Sequence, residues 1–413
     1  MAAGSRDVTL LGTGITRFGQ LPGRDLRSMS EQAVAQALDD AGVAPADVGM
    51  VLFGNAVEGV LHGQEMIRGE VALRYTGLRG VAMINIENAC ASSSSAFQLA
   101  CMAVGSGAAE VVLVVGAERL THQDKQRSFS ALATAVDLGD HPRLQARLGA
   151  GASATAGVAA TTAPAGSHSP LMDLYASKTC EFMRAAGATV EDLARVSVKN
   201  RRHASLNPVA QFRDPVDVET VLGSRMISDP LRMLMCAPVG DGAAAVVVTS
   251  AAYARRSGRP YVIVSGFALT SNGSDEHAAD PVARAARLAF EQAGVDPEDI
   301  DVAEVHDACA AAELWLYEDI GLANPGDAAK LLRSGATELG GATPVNVSGG
   351  LLSRGHPLGA TGCAQLVELA DQLRGRGGAR QVPDARNALA QNSGGILDHG
   401  DEAVAAVTVL SRP

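Results

Sequence analysis

The chain repeats itself once, and that repeat constrains its fold more than any other feature. Residues 33–54, AVAQALDDAGVAPADVGMVLFG, align with residues 285–306, AARLAFEQAGVDPEDIDVAEVH. Ala41, Gly42, Val43, Pro45 and Asp47 recur as Ala293, Gly294, Val295, Pro297 and Asp299, at a constant offset of 252. Each copy reads as an amphipathic helix closed by a glycine, then a turn, then a strand. An apolar strand precedes each copy, VTLLGTGITRF in the first half and YVIVSGFAL in the second. Later runs VVLVVGA (111–117), AAAVVVTS (243–250) and AVAAVTVL (403–410) lack polar alternation, so they are expected to be covered on both faces. The pattern predicts an α/β fold of two similar halves built from β-α-β units.

The first half is expected at residues 1–118 with 236–255, and the second at 256–413. Residues 119–235 interrupt the first half with a Gly/Ala/Thr-rich stretch (148–170) and Arg-bearing helical segments. We read them as an excursion over the mouth of a site. A 47% hydrophobic content supplies a sizeable core. The formal net charge of −11 argues against nucleic acid or an anionic membrane as partner, since both attract basic patches. No apolar run reaches membrane-spanning length, and the N-terminus lacks the charged flank and apolar stretch of a secretory signal. A soluble, cytoplasmic protein is expected. Six scattered cysteines form no C-x-x-C, so neither a metal site nor a disulfide framework is expected. No strand-to-helix turn carries a Gly-rich phosphate motif, and no nucleotide cofactor is expected.

Three segments carry chemistry. In MINIENACASSSSAF (83–97) a strand ends near Asn88 and a helix begins between Ala91 and Ser94. Cys90 therefore stands at a helix N-terminus, where the dipole is expected to favour its thiolate. In VNVSGGLLSRGHPLGATGCAQL (345–366), His356 is held between Gly355 and Pro357 in a sharply turned loop leading into a helix. In EVHDACAAAELW (304–315), His306 and Asp307 close a strand, and ligands gather at such strand ends in α/β sheets. A thiol and two imidazoles supply a nucleophile, a base and a carbonyl polariser.

The order Cys90 with Ser92, His306-Asp307, then Gly355-His356-Pro357 with GATG resembles the thiolase superfamily. The nearest branch is that of sterol-carrier-protein-X-type and acetyl-CoA-acetyltransferase-like thiolases, which residues 198–248 also resemble. The resemblance implies a five-layered αβαβα fold of two similar β-α-β-α-β halves with an inserted loop domain that helps bind coenzyme A. It implies Cys90 as acyl acceptor, His356 as its activator, and His306 as holder of a water or substrate oxygen. It also implies a second oxyanion hole from the N–H groups of Cys90 and Gly394. Asn346 and Asp307, and the basic cluster Lys199, Arg201, Arg202 and His203, are candidates for substrate binding, the cluster through coenzyme A phosphates. The substrate would be an acyl-CoA, with no resident cofactor or metal. The assembly would be a homodimer or tetramer.

Two departures stand out. Ordinary thiolases carry a second acid/base cysteine where this chain reads Asn392-Ser393-Gly394. The sterol-carrier branch offers a His-Asp-Cys-Phe cysteine instead, but here Cys309 falls one position late. Cys309 remains a candidate base beside His306 and His356. The expected activity is acyl-CoA C-acyl transfer through Cys90. The alternatives are a retro-aldolase subunit working with a small zinc-ribbon/OB-fold partner, or a degenerate acyl-CoA or lipid-binding relative.

Overall fold

The computed structural model describes residues 7–139, 169, 171–273, 280–397 and 401–413. Apart from Ser169, the Gly/Ala/Thr-rich stretch singled out above lies outside the described residues. Eleven strands are described: β1 (Val8–Ile15), β2 (Met50–Gly54), β3 (Ala82–Ile86), β4 (Val111–Arg119), β5 (Met226–Ser228), β6 (Leu231–Arg232), β7 (Asp241–Ser250), β8 (Val262–Ser271), β9 (Val302–Glu304), β10 (Asn387–Ile396) and β11 (Glu402–Ser411). The longer helices are α1 (Leu26–Ala41), α2 (Ser92–Gly105), α3 (Leu171–Ala186), α4 (Val190–Ser205), α5 (Pro281–Ala293), α6 (Ala310–Asp319) and α7 (Thr361–Leu373).

Nine strands form one sheet in the order β3-β2-β4-β7-β1-β8-β11-β10-β9. It is two mixed sheets joined edge to edge where β1 meets β8 antiparallel, through Thr9 with Ile263 and Leu10 with Val262. In the first, β2 runs parallel to β3 and β4, and β7 lies antiparallel between β4 and β1. In the second, β9 runs parallel to β10, and β11 lies antiparallel between β10 and β8. A parallel bridge from Ala303 to Val345 stands where the first half has β3.

The repeat at offset 252 is visible in three dimensions. Helix α1 is capped by Asp25 and closed by Gly42 at φ 64°, and α5 is capped by Asp280 and closed by Gly294 at φ 68°. That left-handed conformation is the one glycine adopts without penalty. Gly12 in β1 and Gly266 in β8 are spatial equivalents, for they meet Ala37 and Ala289, which stand at that offset. A Cβ at Gly12 would lie 2.3 Å from the Ala37 carbonyl oxygen, and one at Gly266 2.1 Å from that of Ala289. Each helix therefore rests on the bare backbone of its strand.

Five layers result. Helix α1 covers the outer face of the first sheet, where Ala33, Val34 and Ala37 share a core with Leu11, Val51 and the β4 residues Val111, Leu113 and Val115. Helices α2 and α7 lie back to back between the sheets, burying Phe97, Ala100, Cys101, Cys363, Leu366 and Leu369. Helix α5 covers the second sheet's outer face, joined there by α6 and by α3 and α4 of the segment between β4 and β7. Strands β4 and β7 are buried on both faces almost throughout, as their unbroken apolar runs require. No helix among the described residues is long and apolar enough to cross a membrane.

Candidate active site

The chain leaves β3 and makes a single 3₁₀ turn, Ala89–Ala91, before α2 begins at Ser92. Ala89 takes φ 47°, a conformation that costs a non-glycine residue about 1 kcal/mol or more. Ser92 holds the turn, its hydroxyl donating to the Ala89 carbonyl at 2.6 Å and accepting from the Asn88 N–H at 3.0 Å. Cys90 sits at the tip against the apolar cluster of Val57, Leu61, Leu120, Ala131 and Leu358.

Both imidazoles arrive from the other half. His306 directly follows β9 and its neighbour Val305, and its N–H donates to Gln391 Oε1 at 3.0 Å. His356 lies between the short helix Gly350–Arg354 and the 3₁₀ turn Leu358–Ala360 that opens α7. The two rings meet edge to face, with centroids 5.1 Å apart at 89°. The Cys90 sulfur and one nitrogen of each ring lie within 4.8 Å of one another. The sequence-inferred triad is thus brought together across the interface between the halves. Its donor set also fits a thiophilic ion such as zinc, which takes thiolate and imidazole ligands.

Hydrogen bonds fix both tautomers. Thr361 Oγ1 donates to the Pro357 carbonyl at 3.1 Å, so at 2.8 Å it accepts from His356 Nδ1. Asn392 Nδ2 donates to the Cys90 carbonyl at 3.0 Å and to Ser94 Oγ at 2.9 Å. Its Oδ1 therefore faces His306 Nδ1, 2.5 Å away, and accepts that proton. The Ser393 N–H, 3.4 Å from the same nitrogen, is too distant to compete. Each Nε2 is left as an unprotonated base. Burial keeps the rings neutral, lowering His306 to about 4 and His356 well below the usual histidine value.

The thiol contradicts the expectation of a ready thiolate. Desolvation and the nearby Glu118 carboxylate push Cys90 up to about 12, against the lowering by its own backbone N–H. Although the residue keeps some accessible surface, its sulfur lies in a water-poor recess. The thiolate must be generated by a neighbouring base.

Glu118, at the end of β4, escaped sequence reasoning. It is fully buried and accepts from Asn55 Nδ2 and from the N–H groups of Ala56, Val57 and Gly359 at 2.7–3.2 Å. This ties the loop after β2 to the Gly-His-Pro loop, and burial raises the carboxyl to about 7. Its only sequence signal was an acidic residue ending an apolar strand. Gly359 and Gly394 make the close approach possible. A Cβ at Gly359 would meet the Ala117 carbonyl oxygen at 2.8 Å, and one at Gly394 the Asn88 carbonyl oxygen at 2.2 Å. A cleft of about 620 Å³ opens beside the turn, lined by Asn88, Ala89, Leu132, Leu358, Gly394 and Gly395 among others. That volume suits a small organic ligand.

Other candidates lie apart. Cys309 is fully buried at the start of α6, where the Ala312 N–H donates to its carbonyl at 3.0 Å, and burial pushes its thiol up to about 12. It does not join the triad. Lys199 is buried against Glu313, 2.8 Å away, and donates to the Val345 carbonyl. His203 spends both ring nitrogens on backbone, at Asn346 O and Leu339 N. Asn346, at φ 57°, accepts from the Val305 N–H and donates to Glu313. These groups hold α4 to the second half through buried contacts. Arg201 stacks on Phe212, and Arg202 is exposed and paired with Glu338. Asp307 accepts from the Leu351 and Leu352 N–H groups and from Asn200. It thereby fastens the short helix that delivers His356.

Comparison with known proteins identifies the family. Residues 8–252 match the model "Thiolase, N-terminal domain", and residues 269–411 match "Thiolase C-terminal domain-like". The chain is 38% identical to an acetyl-CoA acetyltransferase of Methanothermobacter thermautotrophicus, covering 98% of this chain and 100% of that one. It is 35% identical to human sterol carrier protein 2, over 94% of this chain and 70% of that protein. A solved structure titled "Ltp2-ChsH2(DUF35) aldolase" superposes with a TM-score of 0.76 over 98% of each chain at 24% identity, a likeness of fold. Matched in both halves and along its whole length, the chain belongs to the thiolase family.

Proposed function

We propose that the protein is an acyl-CoA C-acyltransferase of the acetyl-CoA acetyltransferase or 3-ketoacyl-CoA thiolase type, carrying the acyl group on Cys90. The observation that carries this reading is the meeting of Cys90 with two neutral imidazoles, each with a bare Nε2, in one recess. His356 takes the thiol proton as the sulfur attacks the thioester carbonyl, then returns it to the departing coenzyme A thiolate. The N–H groups of Cys90 and Gly394 stabilise the oxyanion. The acyl group then passes to coenzyme A or to a carbon nucleophile. The coenzyme A thioester is substrate, and no resident cofactor is invoked. Arg202 is the one exposed residue of the basic cluster and is proposed to meet a phosphate of the pantetheine-linked nucleotide.

Among the described residues strand β3 has a neighbour on one side only and carries an exposed Ile84, which supports a homodimer or tetramer formed through that edge. A cytoplasmic location is proposed with it. The test is intact-mass screening with a panel of acyl-CoAs. An acyl adduct is expected on Cys90 and lost in Cys90→Ala; transfer of a labelled acyl group by that variant would overturn the assignment.

Asn392, in place of a second thiol, favours one rival reading, a retro-aldolase subunit acting with a small zinc-ribbon/OB-fold partner. The likeness of fold to the DUF35-partnered aldolase is compatible with it. Release of a carbonyl product from a β-hydroxyacyl-CoA without free coenzyme A would select that reading.

A further inference from the structure

Carbon–carbon chemistry on a thioester needs a base within hydrogen-bond reach of the α-carbon. Asn392 stands where ordinary thiolases place that base as a thiol, and an amide cannot take a proton. Cys309 is sealed in the second-half core, and Cys101 and Cys363 are fully buried within α2 and α7. Among the described histidines, cysteines, aspartates and glutamates, the groups whose donor atoms gather within 4.8 Å of the Cys90 sulfur are the two imidazoles. Their surroundings differ. His356 is held by Thr361 on the loop that turns into α7. His306 is held by Asn392, whose other end grips the nucleophile's own carbonyl and Ser94. One amide thus sets the ring of His306 and the backbone of Cys90 in a single frame.

Building on the acyl-transfer reading above, we infer that His306 is the acid/base for the α-carbon and Asn392 its positioning residue. In condensation, His306 Nε2 removes the α-proton of the second acyl-CoA, whose electron pair becomes the enolate. The enolate carbon attacks the acyl-Cys90 carbonyl, forming the C–C bond. The C–S bond breaks, and the Cys90 thiolate takes the proton from the His306 imidazolium. Proton and electron pair are conserved, and no external reagent is needed. Thiolysis runs the same steps backwards, with Cys90 giving its proton to His306 and then to the departing α-carbon. His356 serves the coenzyme A sulfur throughout.

The experiment follows two partial reactions of acetyl-CoA separately: acetylation of Cys90 by intact mass, and deuterium uptake into the acetyl methyl group in D₂O. His306→Asn is expected to form acetyl-Cys90 within about tenfold of the parent rate while methyl exchange falls by roughly 10² to 10⁴. Asn392→Asp places a carboxylate on Nδ1–H and is expected to move the acid limb of exchange upward by about one pH unit or more. A merely structural role would not move that limb. Cys309→Ala is expected to exchange at the parent rate. Parent-like exchange in His306→Asn, loss of exchange in Cys309→Ala, an unmoved limb in Asn392→Asp, or no exchange in the parent would each overturn the inference. Failure of the parent to acetylate Cys90 would instead strike the acyl-transfer reading itself.

Discussion

Replacing Lys199 by Met separates a structural lysine from a phosphate-binding one. The ammonium and its partner Glu313 are 2% and 0% exposed, and Nζ also supplies the donor for the Val345 carbonyl, 2.7 Å away. Removing one member of a buried pair costs about 3–5 kcal/mol, because the other charge stays behind without its partner. Here Glu313 keeps donors from Asn200 at 2.8 Å, Asn346 at 2.7 Å and the Tyr317 hydroxyl, so the lower end is expected. An unfolding entropy of about 2.1 cal/mol/K per residue over 413 residues is about 0.9 kcal/mol/K. A loss of about 3 kcal/mol then lowers Tm by about 3–4 °C. Urea unfolding and thermal melting measure the loss, and steady-state kinetics should show KM for the acyl-CoA changed by less than about twofold. A variant of parent stability with KM raised tenfold would refute the placement of Lys199 and restore its phosphate role.

Alkylation of Cys90 by iodoacetamide should accelerate steadily from pH 7 to pH 10, because the thiol is pushed up to about 12; a plateau near neutrality would contradict this. Gly359→Ala, which drives a Cβ to within 2.9 Å of three backbone atoms, should cost about 1–3 kcal/mol in melts. It should also lower kcat at least tenfold by shifting the His356 loop, and an unaltered kcat would argue against the clamp. His306 is lowered from 6.5 to about 4, so it resists protonation when folded. Its contribution is complete above pH 6.5 and is lost as pH falls towards 4, by roughly 3 kcal/mol at about 1.4 per unit. Denaturation of His306→Gln and parent at pH 5 and 7.5 should show about 2 kcal/mol of that change, and a pH-independent gap would refute it.

What was legible in the sequence was local. The two β-α-β copies announce themselves through glycine caps and apolar runs, and Gly355-His356-Pro357 marks its loop by residue type alone. Cys90 was recognisable as a turn residue, but its proton affinity was not, since that depends on Glu118 and on the apolar residues the fold packs around it. Lys199 and His203 resemble a solvated basic face because their partners Glu313, Val345 and Asn346 are more than a hundred residues away. No periodicity encodes such contacts. Asn392 could be read as a missing thiol; that its amide links His306 to Cys90 required all three backbones in place.

The seam between β1 and β8 gives the catalytic cluster an unusual dependence. The sulfur is delivered by one duplicate and both nitrogens by the other, so neither copy holds a complete set of reacting atoms. Slippage at Thr9–Leu10 against Val262–Ile263 would separate donor from acceptor and open the core that α2 and α7 build from both duplicates. Reactivity in this molecule therefore reports the register of that seam, and activity and stability should be lost together.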